Sequence, residues 1–192
     1  MNEIITILII VVIALAFFLN YESNFSDLTY VESTLDKSKY LVRNREDKVD
    51  AANMLASIKS NLIKLVQYLK DNHISDPRIK RLASKFNPDN ISESLPGTSY
   101  TSYSVNKGEK IVFCIRAKNK QENLEDVNTM MFVAIHEIAH IMTTSVGHTE
   151  EFWDNMRYLL QKAIKVGVYQ KEDYKNSPRE YCGVKITDSP LE

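Results

Sequence analysis

The chain has 192 residues and a formal net charge of -1 at pH 7, enough for one compact domain with its own core and too little for two of ordinary size. The balance of charge gives no general reason to expect a nucleic-acid or acidic-membrane partner. Two cysteines, Cys114 and Cys182, exclude a disulfide scaffold; they can pair once or stand as reduced thiols, and the sequence leaves both open.

In chain order, the first feature is apolar. Residues 4–19 read IITILIIVVIALAFFL, about 24 Å of helix against a hydrocarbon core of ~30 Å, with Asn20 and Tyr21 able to extend it to the interface. A cleaved signal peptide competes, but no basic residue precedes the run and its small-x-small triplet, Ala14 to Ala16, lies inside it. The expectation is a single-pass membrane protein with an N-terminal anchor over residues 1–21, the side of the soluble domain left open. Residues 22–47 are polar and read as a juxtamembrane linker, with Lys39 to Val42 a short strand or the lip of a domain covering residues 48–192.

Leu55, Ile58, Leu62, Leu65 and Leu69 recur at spacings of three and four, predicting an amphipathic helix from about Asp50 to Asp71. Asp76-Pro77 is a cap followed by a proline at the first helical position, opening a short helix with Ile79, Leu82, Ala83 and Phe86 inward. Its other face carries Arg78, Lys80, Arg81 and Lys85 and reads as solvated. Tyr100 to Val105 and Lys110 to Arg116 flank the turn residues Asn106-Lys107-Gly108 and predict a hairpin, its second strand lying inside a sheet. A peptide substrate could add to that hairpin as a further strand.

A third helix is predicted from Glu122 or Asn123, with Glu125 and Asp126 in its first turn. Val127, Met131, Ala134, Ile138, Ile141 and Met142 form its core face, and His136 and His140 fall on another. Thr143 to Ser145 and Gly147 end it. Thr149 can cap a fourth helix whose core residues include Phe152, Met156, Leu159, Leu160 and Ala163. The tail from Gly167, with Tyr169, Tyr174 and Tyr181, shows no regular period.

The chemistry is concentrated in the third helix. The chain has four histidines, and His136, Glu137 and His140 form the pattern H-E-x-x-H. Residues four apart lie one turn apart on the same face, so both imidazoles can meet one metal ion, with Glu137 beside it as a base. His148 follows and supplies a third ligand, with Glu150 and Glu151 as alternatives. Three protein ligands with a fourth position for water make a catalytic zinc site rather than a structural one. Zinc would lower the pKa of its water towards ~7, and Glu137 would take the proton as that water attacks a carbonyl. Tyr174 and Tyr181 are candidate oxyanion donors that read first as packing residues.

The run His136-Glu137-Ile138-Ala139-His140, followed by His148-Thr149-Glu150-Glu151-Phe152-Trp153, resembles the zincin metallopeptidases of the SprT and WLM kind over about Leu124 to Leu160. That resemblance implies Zn2+ held by His136, His140 and His148, catalysis by Glu137, and Phe152 and Trp153 packing to fix the third-ligand loop. Thr143 stands where metzincins carry a glycine, and no DNA-binding extension is evident, so the zinc site carries over but the DNA-linked substrate of these families does not. The small size and single anchor resemble metallopeptidase-like membrane proteins of large DNA viruses. The expected protein is a membrane-anchored zinc metallopeptidase with an α+β zincin-like domain, a small sheet packed on the H-E-x-x-H helix, and a protein or peptide substrate. The alternative is a catalytically silent zincin fold serving as a membrane-bound binding or structural module.

Overall fold

The structure, a computed structural model, describes residues 2–98 and 101–191, without the side chains of residues 2, 4 and 19–26. Tyr100, where the hairpin was expected to begin, lies outside the described residues. The fold is α+β. A five-stranded sheet has the order β1-β2-β3-β5-β4, built from β1 (Leu28–Glu32), β2 (Lys39–Arg43), β3 (Ile91–Glu93), β4 (Ser102–Val105) and β5 (Lys110–Phe113). The outer pairs β1–β2 and β4–β5 are antiparallel and the inner pairs parallel. β5 is interior, as its apolar sequence demands, with Ile111, Val112 and Phe113 buried.

The N-terminal expectation is corrected. Helix α1 covers Asn2–Ser26, but among the described residues no helix is long and apolar enough to cross a membrane. The apolar side chains described on α1, from Ile5 to Phe18, stand exposed. The anchor, and the single-pass membrane placement built on it, therefore lack the span they need. The linker expected over residues 22–47 contains β1 and β2, paired from Leu28 with Arg43 to Glu32 with Lys39. Lys39 to Val42, read as a short strand or a domain lip, lies in β2, where Tyr40 and Val42 are buried; β1 was not foreseen, and none of its side chains is buried.

Helix α2 (Lys48–His73) lays its leucine stripe on the sheet, with Leu55, Ile58, Leu62, Leu65 and Leu69 all fully buried. Helix α3 (Pro77–Lys85) starts where expected, Asp76 accepting from the Arg78 amide. Helix α4 (Val127–Met142) starts later than expected, with Asp126 as its cap rather than in its first turn. The residues before it are claimed by the sheet. Leu124 bridges Arg116, the Glu125 amide donates to the Ile115 carbonyl, and the Glu122 carboxylate takes both Arg43 and Arg45. Beneath them the Arg116 guanidinium, 3% exposed, is paired with Glu93 and Asp47, the arrangement that lets a charge be buried at all.

Asp126 accepts from both the amide and the hydroxyl of Thr129. Asp126→Ala is expected to cost about 1 kcal/mol. Urea unfolding should show the midpoint lowered with an unchanged slope, and no shift would remove the cap from the account of why α4 begins there. Helix α5 (Glu150–Val166) is capped by Thr149 and buries the predicted Phe152, Met156, Leu159, Leu160 and Ala163. Only Val127 of the six residues assigned to the α4 core face is exposed, because it occupies the first turn, outside the helix packing.

The tail is ordered where no period was readable. Tyr169 and Tyr174 are buried, with Tyr174 packed on Phe132 at a ring separation of 4.8 Å. Strands β6 (Arg179–Tyr181) and β7 (Val184–Ile186) form a hairpin. Its two turn residues, Cys182 and Gly183, have φ of 47° and 79°, the positive values that a tight hairpin turn of this twist requires. Cys182 is disulfide-bonded to Cys114, which settles the pairing that the sequence left open.

Candidate metal and active site

Helix α4 is buried nearly all round, yet one strip of it opens into a cleft of about 510 Å³. His136, Glu137 and His140 come from that strip; Ser102 and Ser104 come from β4, Val146 to His148 from the loop after α4, and Tyr181 and Ile186 from the C-terminal hairpin. The loop turns back through Gly147 at φ 84°, a conformation that a residue with a Cβ adopts at a cost. This brings His148 over the helix. The Nε2 atom of His136 lies 3.2 Å from that of His140 and 3.0 Å from that of His148.

Three imidazole nitrogens converging within 4.8 Å of one another form a candidate metal-holding group among the described residues. Tetrahedral coordination at about 2.05 Å separates ligand nitrogens by about 3.3 Å, close to the observed spacing. Burial, then the neighbouring His140 and His148, hold His136 down to about pKa 3; burial, then His148 and Lys107, hold His140 down to about 4. Both rings are thus neutral at pH 7 with a lone pair to offer. The donor set and its geometry fit zinc.

Phe152 forms the floor. Its ring, fully buried, lies 4.8, 4.4 and 4.7 Å from those of His136, His140 and His148. Trp153 leans on Phe152 at 5.0 Å and on His148 at 5.5 Å, and is itself exposed. The Phe-Trp pair therefore packs against the histidines, the position that the resemblance implied.

Glu137 points to the cleft but is only 4% exposed. Burial pushes its carboxyl up to about 8, opposed by the Ser104 backbone N–H that donates to it. β4 is an edge strand, so its outward backbone groups face the cleft and the base together.

The alternatives for the third ligand sit elsewhere. Glu151 accepts from the amides and hydroxyls of Thr144 and Ser145, and those bonds draw its carboxyl down to about 2. Glu150 is exposed on the first turn of α5. Of the tyrosines, Tyr174 does not line the cleft, whereas Tyr181 does. The Tyr181 hydroxyl is already engaged, donating to the Cys114 carbonyl at 2.9 Å and sharing a 2.6 Å bond with Ser102. Two contributors carried no readable signal: the Ser104 amide, which is backbone, and Lys107, which looks like any turn lysine.

A family model described as WLM domain matches residues 36–190. An uncharacterized protein of Acanthamoeba polyphaga mimivirus is 33% identical over 188 residues, 96% of this chain and 94% of that protein. An uncharacterized protein of Invertebrate iridescent virus 6 is 35% identical over 82 residues, 42% of this chain and 44% of that one. Among solved structures the chain is similar to Wss1 from Saccharomyces cerevisiae, with a TM-score of 0.49 and 22% identity over 66% of this chain and 87% of that one.

Proposed function

This chain belongs to the WLM family of zincin-like metallopeptidases, and on that premise we propose that it is a zinc-dependent endopeptidase with Glu137 as its general base. One observation carries the reading. The three Nε2 atoms of His136, His140 and His148 converge in the same cleft that receives the Glu137 carboxylate. His136, His140 and His148 would hold the ion. When bound, zinc supplies a Lewis acid that polarises the scissile carbonyl, acidifies water and favours the ionised form of Glu137.

The chain's own residues divide the remaining work. Glu137 takes a proton from the attacking water and returns it to the leaving amine. The Ser104 N–H fixes the carboxylate that does so, and Phe152 fixes the rings. A peptide laid along the outer edge of β4 as a further strand would carry its scissile bond past Glu137. The cleft wall made by Phe132, Val133, Tyr181 and Ile186 offers an apolar seat for a neighbouring substrate side chain.

The test is removal and return of the metal. The purified chain is expected to carry one zinc per molecule and to cleave an unfolded protein substrate, to stop on chelation, and to recover with added zinc. Zinc without cleavage of any peptide would leave a silent zincin fold acting as a binding module. An unchanged cleavage rate after complete metal removal would sink the proposal.

A further inference from the structure

The third histidine is the least supported of the three by packing. His136 and His140 ride on a buried helix, whereas Thr144, Val146, Gly147 and His148 are all exposed, Val146 to 87%. Apart from the Phe152 and Trp153 rings against His148 itself, this exposed loop is held by polar bonds. They come from two charged side chains on different elements. Lys107, in the β4–β5 turn, donates through its ammonium to the carbonyls of Thr143, Thr144 and Ser145 at 3.1, 2.8 and 3.2 Å. That uses all three of its donors on the C-cap carbonyl and the two that follow it, just past the end of α4, where a cation is favoured by the helix dipole as well.

From the other side, Glu151 takes the Thr144 and Ser145 amides at 2.9 and 3.1 Å and both hydroxyls at 2.7 to 2.8 Å. Thr144-Ser145 is thus gripped by an ammonium on its carbonyls and a carboxylate on its amides. The gripping groups are themselves anchored. Glu151 sits in the first turn of α5 behind the Thr149 cap. The Lys107 turn is pressed against α3 so closely that a Cβ on Gly108 would meet the Lys85 carbonyl at 2.6 Å.

We propose that Lys107 and Glu151 are positioning residues that hold the His148 loop in its metal-binding shape, and so set how tightly and how long the ion is held. This rests on the reading of His148 as a zinc ligand. Neither side chain needs to touch the ion. An ammonium has no lone pair to give, so Lys107 cannot be a ligand, and its positive charge in the same cleft would by itself oppose a cation; a loss of affinity on its removal is therefore exerted through the loop. Outer partners that orient a metal ligand are worth about 10- to 100-fold in affinity.

The experiment measures zinc dissociation constants and the visible spectrum of the cobalt-substituted protein for wild type, Lys107→Met, Lys107→Arg, Glu151→Ala and His148→Ala. Lys107→Met and Glu151→Ala are expected to bind zinc about 10-fold or more weakly, with cobalt spectra shifted towards that of His148→Ala. Lys107→Arg, which can still donate to the carbonyls, should recover much of the loss. Amide exchange at Thr144 and Ser145 in the metal-free Glu151→Ala protein should quicken, a readout that needs no metal. Both side chains are half-buried and lie outside the hydrophobic core, so the metal-free thermal midpoint should stay close to that of wild type. If His148→Ala weakens zinc while Lys107→Met and Glu151→Ala leave affinity and spectrum unchanged, the clamp is wrong and the ligand reading stands. If His148→Ala has no effect on zinc, the ligand reading fails and the proposal falls with it.

Discussion

Replacing Glu137 by Gln is expected to lower peptide turnover by about 10²- to 10⁴-fold while leaving the fold and zinc stoichiometry in place. Gln has the same shape, so it fills the same buried site and its carbonyl can still accept the Ser104 N–H. What it lacks is the ability to take and return a proton. The comparison with wild type also has a sign that can be checked without metal. Burial raises the folded-state pKa of Glu137 from 4.5 to about 8, so the folded protein holds this proton where the unfolded chain has lost it. The stability tied to that proton is fully present below about 4.5 and is lost as pH rises towards about 8. Gln carries no such dependence. In chelator, Glu137→Gln should therefore gain stability relative to wild type as pH rises across that window, then level off above it. Turnover within twofold of wild type would show that another group moves the proton. A flat stability difference from pH 5 to 8 would show that Glu137 is better solvated than its 4% exposure indicates.

What the sequence made readable follows the length over which a physical signal repeats. The α2 stripe persists for several turns, and every leucine and isoleucine named from it is buried. H-E-x-x-H works at one turn's distance, and its two imidazoles do meet. His148 is brought to them by a loop, so the chemistry of the residue and the family resemblance pointed to it, and no spacing did. The start of α4 was misplaced because acidic residues in the sequence 122–126 suit a helix N-terminus, whereas Glu122 is drawn off by Arg43 and Arg45 from a distant strand. The C-terminal hairpin escaped notice for a different reason. Its strands are three residues each, too short for any alternation to show, and its stability is drawn from a covalent bond to a position 68 residues away. Lys107 shows the limit of residue-type reasoning, since its role depends on three carbonyls that only folding brings to it.

Removing the Cys114–Cys182 bond is expected to cost about 4 kcal/mol, from the chain entropy that a loop of 68 residues restores to the unfolded state. For a chain of this size that corresponds to a fall of roughly 10 °C in thermal midpoint. The double variant Cys114→Ala/Cys182→Ala and the reduced wild type should agree, because both sulfurs are buried and make few other demands on the fold. The effect should also reach the cleft. The β6–β7 hairpin forms its own two-stranded sheet, and is joined to the body around Tyr181 and Cys182: by the disulfide, by the Tyr181 hydroxyl on the Cys114 carbonyl, and by the Cys182 amide on Glu125. Cys114 is thus the common attachment point of two of those links. Freed from it, the hairpin should leave Tyr181 and Ile186 poorly placed as a cleft wall, while the histidines and Glu137 stay on α4. The expected signature is a KM for peptide that rises more than kcat falls, with zinc affinity close to wild type. A loss of zinc in step with reduction would instead tie the disulfide to the metal ligands. Unchanged stability and KM would mean that the packing of Tyr181, 2% exposed, is enough to hold the wall without the covalent link.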